Sequence, residues 1–128
     1  MARNLGVKKS KSEWICFLDD DDFWFDQKLQ TINNFIKQNN KCKFLFHNIN
    51  INKNGKVVTN QSKRVGHYIN LNQNLIINFN DFKHHNFVIT SSVVLKKNII
   101  EKNIFDENLQ IAEDWDLWLR LTQKHSLY

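Results

Sequence analysis

A chain of 128 residues, 41% of them hydrophobic, is long enough for one domain with a real core and too short for two. The formal charge of +5 comes from scattered lysines with no Arg/Lys stripe interleaved with aromatics, so nucleic acid is not an expected partner, whereas anionic small molecules or peripheral contact with an anionic membrane suit it. Cys16 and Cys42 lack CxxC spacing and read as free thiols, and with no stretch of transmembrane length and no signal peptide at the start, a soluble cytoplasmic protein is expected.

Residues 2–9 read as the C-terminal part of a helix, with Leu5 as an apolar contact and residues 10–12 as its exit. Residues 13–18 form the first clear strand, an apolar run with aromatic and β-branched members. Residues 25–38 carry Leu29, Ile32, Phe35 and Ile36 at helical spacing, and Asp26 falls in the first turn, where the helix dipole favours an acid. Residues 43–51 alternate as a strand does, Asn52-Lys53-Asn54-Gly55 is turn chemistry, and residues 56–59 return as the second strand of a hairpin. Residues 61–81 suggest a loop with a short helix around 71–77; residues 87–95 form a strand and 98–102 begin a short helix. Trp115, Trp118, Leu119 and Thr122 recur at helical spacing, broadened by Leu117 and Leu121. This order of elements predicts an α/β domain with a partly parallel sheet, although the chain opens in mid-helix without a strand to begin it.

The densest chemistry is Asp19-Asp20-Asp21-Asp22, placed where the first strand ends and followed by Phe23-Trp24. Open α/β sheets bind their ligands at the carboxyl ends of strands. At ~5 Å and an effective dielectric of ~20, each pair of like charges costs on the order of 3 kcal/mol. The flanking Leu18, Phe23 and Trp24 argue against free solvation of these acids, which favours a hard-cation site over a solvated acidic turn. The tandem His84-His85 is not a metal pair, because neighbours on a strand face opposite sides. Trp24, Trp115 and Trp118 read as core rather than as platforms for a sugar.

Ala2-Arg3-Asn4-Leu5-Gly6, the run from Glu13 through Asp19-Asp20-Asp21-Asp22 to Trp24, and the Lys28-Leu29 pair together resemble the central segment of family 2 glycosyltransferases. Thr90-Ser91-Ser92 before Val93-Val94-Leu95 is similar to that family's late strand. Phe105-Asp106-Glu107 and Glu113-Asp114-Trp115 resemble its FDE segment and its acceptor-side ED motif. The resemblance implies an α/β, Rossmann-like nucleotide-diphospho-sugar transferase fold with a mostly parallel mixed sheet. It implies metal-dependent, inverting transfer of a sugar from a nucleotide-diphospho-sugar donor to a glycan or lipid-linked glycan acceptor, as in surface polysaccharide biosynthesis.

In residue terms the resemblance makes Asp19 and Asp21 the two acids of a DxD motif. Asp21 would ligate Mn²⁺ or Mg²⁺, Asp19 would lie near the sugar or ribose, and Asp22 would support that shell. Asp114 is the candidate general base, with the bland alternative that it caps the helix that follows. Glu113 and Arg120 are supporting residues, and Arg3 is placed against the donor diphosphate. By the same resemblance, residues 1–128 form a catalytic domain incomplete at its N-terminus, lacking the first strands of the nucleotide-binding half, and the isolated chain is expected to show little activity. The alternatives are a catalytically inert remnant or a cation- or sugar-binding module.

Overall fold

In the computed structural model, residues 2–60, 76–101 and 104–128 are described, and β-strands from distant parts of the chain meet in one small sheet. Helix α1 (Ala2–Lys9) leads into β1 (Trp14–Cys16), α2 (Lys28–Gln38) and β2 (Phe44–Phe46). A hairpin of β3 (Asn50–Lys53) and β4 (Lys56–Asn60) follows, closed by Asn54 and Gly55, both at positive φ. After the undescribed residues 61–75 come α3 (Phe79–Phe82), a 3₁₀ turn (Thr90–Ser92), β5 (Val93–Lys96), α4 (Lys97–Ile100) and α5 (Glu113–Thr122).

The α/β expectation holds, but the parallel sheet does not match what is seen. The three-stranded sheet has the order β1-β5-β2, and β5 runs antiparallel to both neighbours. β1 and β2 therefore point the same way without ever pairing, because β5 is inserted between them. A hint of parallel pairing remains at the outer edge of β2. There Tyr128 donates its N–H to the Phe44 carbonyl and accepts from the Phe46 N–H, the slanted pattern of a parallel ladder. No described strand pairs with the outer edge of β1.

Alternation along the strands loads both faces of the sheet, as expected of strands covered on two sides. One face carries Ile15, Phe17, Phe44, Val93 and Leu95, packed with Val7 of α1 and Leu117, Trp118 and Leu121 of α5. The other carries Trp14, Cys16, Leu45 and Val94 against Ile32 and Ile36 of α2. Trp118 is fully buried at the centre of the first core, with Phe44, Phe105 and Phe17 rings 5.5, 5.8 and 6.1 Å away.

The elements are shorter than the sequence pattern suggests. The strand expected over 43–51 divides: pairing with β5 stops at Phe46, and Asn50 onward turns outward into the hairpin. The strand expected over 87–95 begins only at Val93, after the 3₁₀ turn. Helix α2 starts at Lys28 rather than at residue 25, since Phe23 and Phe25 meet edge to face in the exposed segment before it. The short helix expected around 71–77 falls mostly outside the described residues. α3 begins just beyond it, nucleated by an Asn78–Asp81 capping box. Among the described residues, no helix is long and apolar enough to cross a membrane.

Candidate functional site

Three segments converge at the carboxyl end of β1: the acidic turn that follows it, the 3₁₀ turn before β5, and the first turn of α5. They border a cleft of about 280 Å³ whose lining includes Arg3, Asp19, Asn86, Thr90, Glu113 and Asp114. Asp19, Asp114 and Glu113, named from sequence, are brought together. Arg3 lies between them, with Nη2 2.7 Å from Asp19 Oδ1 and Nη1 2.8 Å from Glu113 Oε1. Burial disfavours the charged guanidinium, but the bonds and attraction of these two carboxylates outweigh it and hold Arg3 above its ordinary pKa.

Asp114 is held at both oxygens. Its Oδ1 accepts from the Trp115 N–H at 2.6 Å and its Oδ2 from the Thr90 hydroxyl at 3.1 Å. The backbone donor is one of the free N–H groups of the helix start, so Asp114 satisfies a donor of α5 while also lining the cleft. The formal N-cap is Ala112, in the left-handed region at φ 61°, with no side-chain cap of its own. A non-glycine residue there costs roughly 1–3 kcal/mol, and the turn it makes launches the Glu113-Asp114 pair into the cleft wall.

Sequence reasoning missed the hub of the site. Ser91 Oγ accepts from the Asp19 backbone N–H at 3.0 Å, and the Ser91 carbonyl accepts from Lys28 Nζ at 2.9 Å. With Thr90 on Asp114, this turn ties the first acidic motif, α2 and the second acidic motif to the start of β5. The Thr90-Ser91-Ser92 run was a visible motif, but hydroxyl residues in a short turn carry no periodicity that announces what they bind. Lys28 also lies 3.8 Å from the centre of the Trp24 ring; burial lowers its pKa to about 8, against the pull of Cys16 and Asp22.

The acidic turn differs from its sequence reading in a way that removes one argument. Leu18 is 48% and Phe23 70% exposed, so the apolar flanks do not shield the carboxylates, and Asp20, Asp21 and Asp22 are themselves exposed. Their repulsion is screened by solvent, while the half-buried Asp19 is neutralised by Arg3. A cation is therefore not required to keep the turn folded. The turn closes with the Asp22 N–H on the Asp19 carbonyl at 3.1 Å. Among the described residues, no group of three or more His, Cys, Asp or Glu side chains converges on one point. Arg120 sits away from the cleft, where its Nη2 bonds Asp116 at 2.7 Å and the Ile104 carbonyl at 2.9 Å.

Residues 1–127 match the family described as Glycosyltransferase like family 2. An uncharacterized glycosyltransferase of Rickettsia bellii is 28% identical over 98% of this chain and 17% of its own length. The amylovoran biosynthesis glycosyltransferase AmsB of Erwinia amylovora is 30% identical over 93% of this chain and 39% of its own. An uncharacterized glycosyltransferase of Methanocaldococcus jannaschii is 26% identical over the same shares. The chain thus spans well under half the length of these relatives. With two acidic motifs facing one cleft at a strand end and a family match from the first residue to the last but one, the chain belongs to the glycosyltransferase-like family 2.

Proposed function

We propose that the chain carries the metal-facing and acceptor-facing part of an inverting glycosyltransferase. It would move a sugar from a nucleotide-diphospho-sugar to a hydroxyl of a glycan or lipid-linked glycan. The observation that carries this reading is Asp114, a carboxylate at a cleft wall with one oxygen set by Thr90 and the other by its own helix. A base fixed in this way can take a proton from an acceptor hydroxyl as that oxygen attacks the anomeric carbon from the side opposite the leaving diphosphate. Inversion follows from that single displacement. The AmsB relative, named for amylovoran biosynthesis, supports surface polysaccharide as the destination.

The exposed turn fits a hard divalent cation as cofactor. Mg²⁺ and Mn²⁺ take oxygen ligands, and Mg²⁺ is commonly held by one or two carboxylates with substrate phosphate and water supplying the rest. Asp21, exposed beside Asp22, is the residue that would hold it, with Asp22 in support and Asp19 facing the donor. Such a cation would neutralise the departing diphosphate. Asp114→Asn is expected to lower sugar transfer by about 10²-fold or more while leaving donor binding intact. Transfer by Asp114→Asn at the unsubstituted rate would refute the assignment.

A second reading, a module that binds cation and sugar without turnover, rests on the exposed carboxylates of the acidic turn alone. Divalent-cation binding lost in Asp21→Ala, with no transfer by the unsubstituted chain, would favour it.

A further inference from the structure

We infer that Arg3 is a positioning residue, which holds the acidic turn after β1 and the first turn of α5 at a fixed separation across the cleft. Its kinetic consequence rests on the transferase reading; its geometry does not.

The guanidinium presents a planar fork, and its two terminal nitrogens are engaged by carboxylates from two different segments. A residue waiting for an anionic diphosphate would keep that fork open. The charge around it also disfavours an anion, because among the described residues the cleft lining sets one guanidinium, Arg3, against the three carboxylates of Asp19, Glu113 and Asp114. A neutral polyhydroxyl ligand meets no such penalty there.

The link stands on a rigid base. Arg3 lies over the Phe105 ring, 5.6 Å from its centre. Phe105 is buried and packs edge to face on Phe17 and Trp118, at 5.4 and 5.8 Å between ring centres. Phe17 is two residues before Asp19, and Trp118 is four residues after Asp114. Next to Arg3, the Asn4 side chain exchanges hydrogen bonds with the Phe105 backbone in both directions, at 2.9 and 3.0 Å. One helical turn thus grips the aromatic cluster beneath both acidic motifs and clasps the motifs above it. Removing the cation would leave Asp19 and Glu113 facing each other as like charges and let the two segments separate.

The test uses the full chain with Arg3→Gln and Arg3→Lys, reading backbone hydrogen exchange together with transfer from UDP-hexoses in the presence of Mn²⁺. Arg3→Gln is expected to speed exchange at least tenfold in both residues 19–22 and residues 113–116. It should lower kcat at least tenfold with the donor KM within twofold, and Arg3→Lys should recover part of each effect. A donor KM raised tenfold with kcat preserved would make Arg3 a donor ligand and overturn the inference. Unchanged exchange in either segment would also overturn it. Faster exchange in a protein whose unsubstituted form transfers no sugar would count against the transferase reading instead and remove the kinetic half of the inference with it.

Discussion

Replacing Asn4 by alanine removes a side chain that acts as a piece of backbone. Its Nδ2 donates to the Phe105 carbonyl at 2.9 Å and to Glu107 Oε1 at 2.8 Å, while its Oδ1 accepts from the Phe105 N–H at 3.0 Å. Glu107 is exposed, so losing that contact matters little. The Phe105 amide is different, since the residue is 1% exposed and both its polar groups lose a partner. An unsatisfied buried group costs about 1–3 kcal/mol, so the pair amounts to roughly 2–4 kcal/mol once some water enters the vacated space. That is a large part of the ~5–15 kcal/mol that holds a typical domain together. At roughly 3–5 °C per kcal/mol for a chain of this size, the unfolding midpoint should fall by about 6–20 °C. Thermal melts and urea titrations by circular dichroism measure it, with the urea midpoint moving and the slope unchanged. Asn4→Asp keeps the acceptor and loses both donations, so it should not restore stability. A fall of less than ~2 °C in Asn4→Ala would refute the reasoning, since it would mean the Phe105 amide is satisfied without Asn4.

Thr90→Val removes the hydroxyl donor to Asp114 at nearly constant volume; steady-state kinetics should show kcat reduced about tenfold with KM little changed, and Thr90→Ser should retain most activity. Lys28→Met tests the lowered amine. Lys28 titrates near 8 when folded and near 10.5 when unfolded, so between those values the unfolded chain binds more protons and stability rises with pH. Burial raises the Cys16 and Cys42 thiols, which lose stability as pH climbs above their ordinary range, so the quantity to follow is the difference between the two proteins. The unfolding midpoint of the unsubstituted chain should gain on Lys28→Met from pH 8 to 10.5, and a constant difference would rule out the buried-amine account.

The parts of the site that sequence made legible are those written in local pattern. The apolar run Trp14 to Leu18 puts a strand before the acids, and the helical spacing of Leu117, Trp118 and Leu121 puts a buried helix after Asp114. What depended on distant contacts was hidden. The direction of β5 is set by its insertion between β1 and β2, and no residue of Val93–Lys96 encodes whether its neighbours run with it or against it. The ion pairs of Arg3, placed from sequence against a diphosphate, were hidden because its carboxylate partners lie 16 and 110 residues away. Leu18 and Phe23 looked buried because of their chemistry, yet both face solvent around the acidic turn. The left-handed Ala112 was equally unreadable, since alanine gives no hint of positive φ.

The insertion of β5 also dictates a timetable. Among the described residues, every ladder of the three-stranded sheet passes through residues 93–96, so the pairing of β1 and of β2 seen here waits for that segment. During synthesis the residues between β1 and β5 must leave the ribosome before these ladders can close, and long-range pairing of this kind folds slowly. Over that interval the apolar strand bearing the acids lacks its β5 partner, and the carboxylates just beyond it are charge of the kind that discourages pairing with another chain. The residues proposed to serve sugar transfer in the finished molecule would then already be at work as gatekeepers of the nascent one.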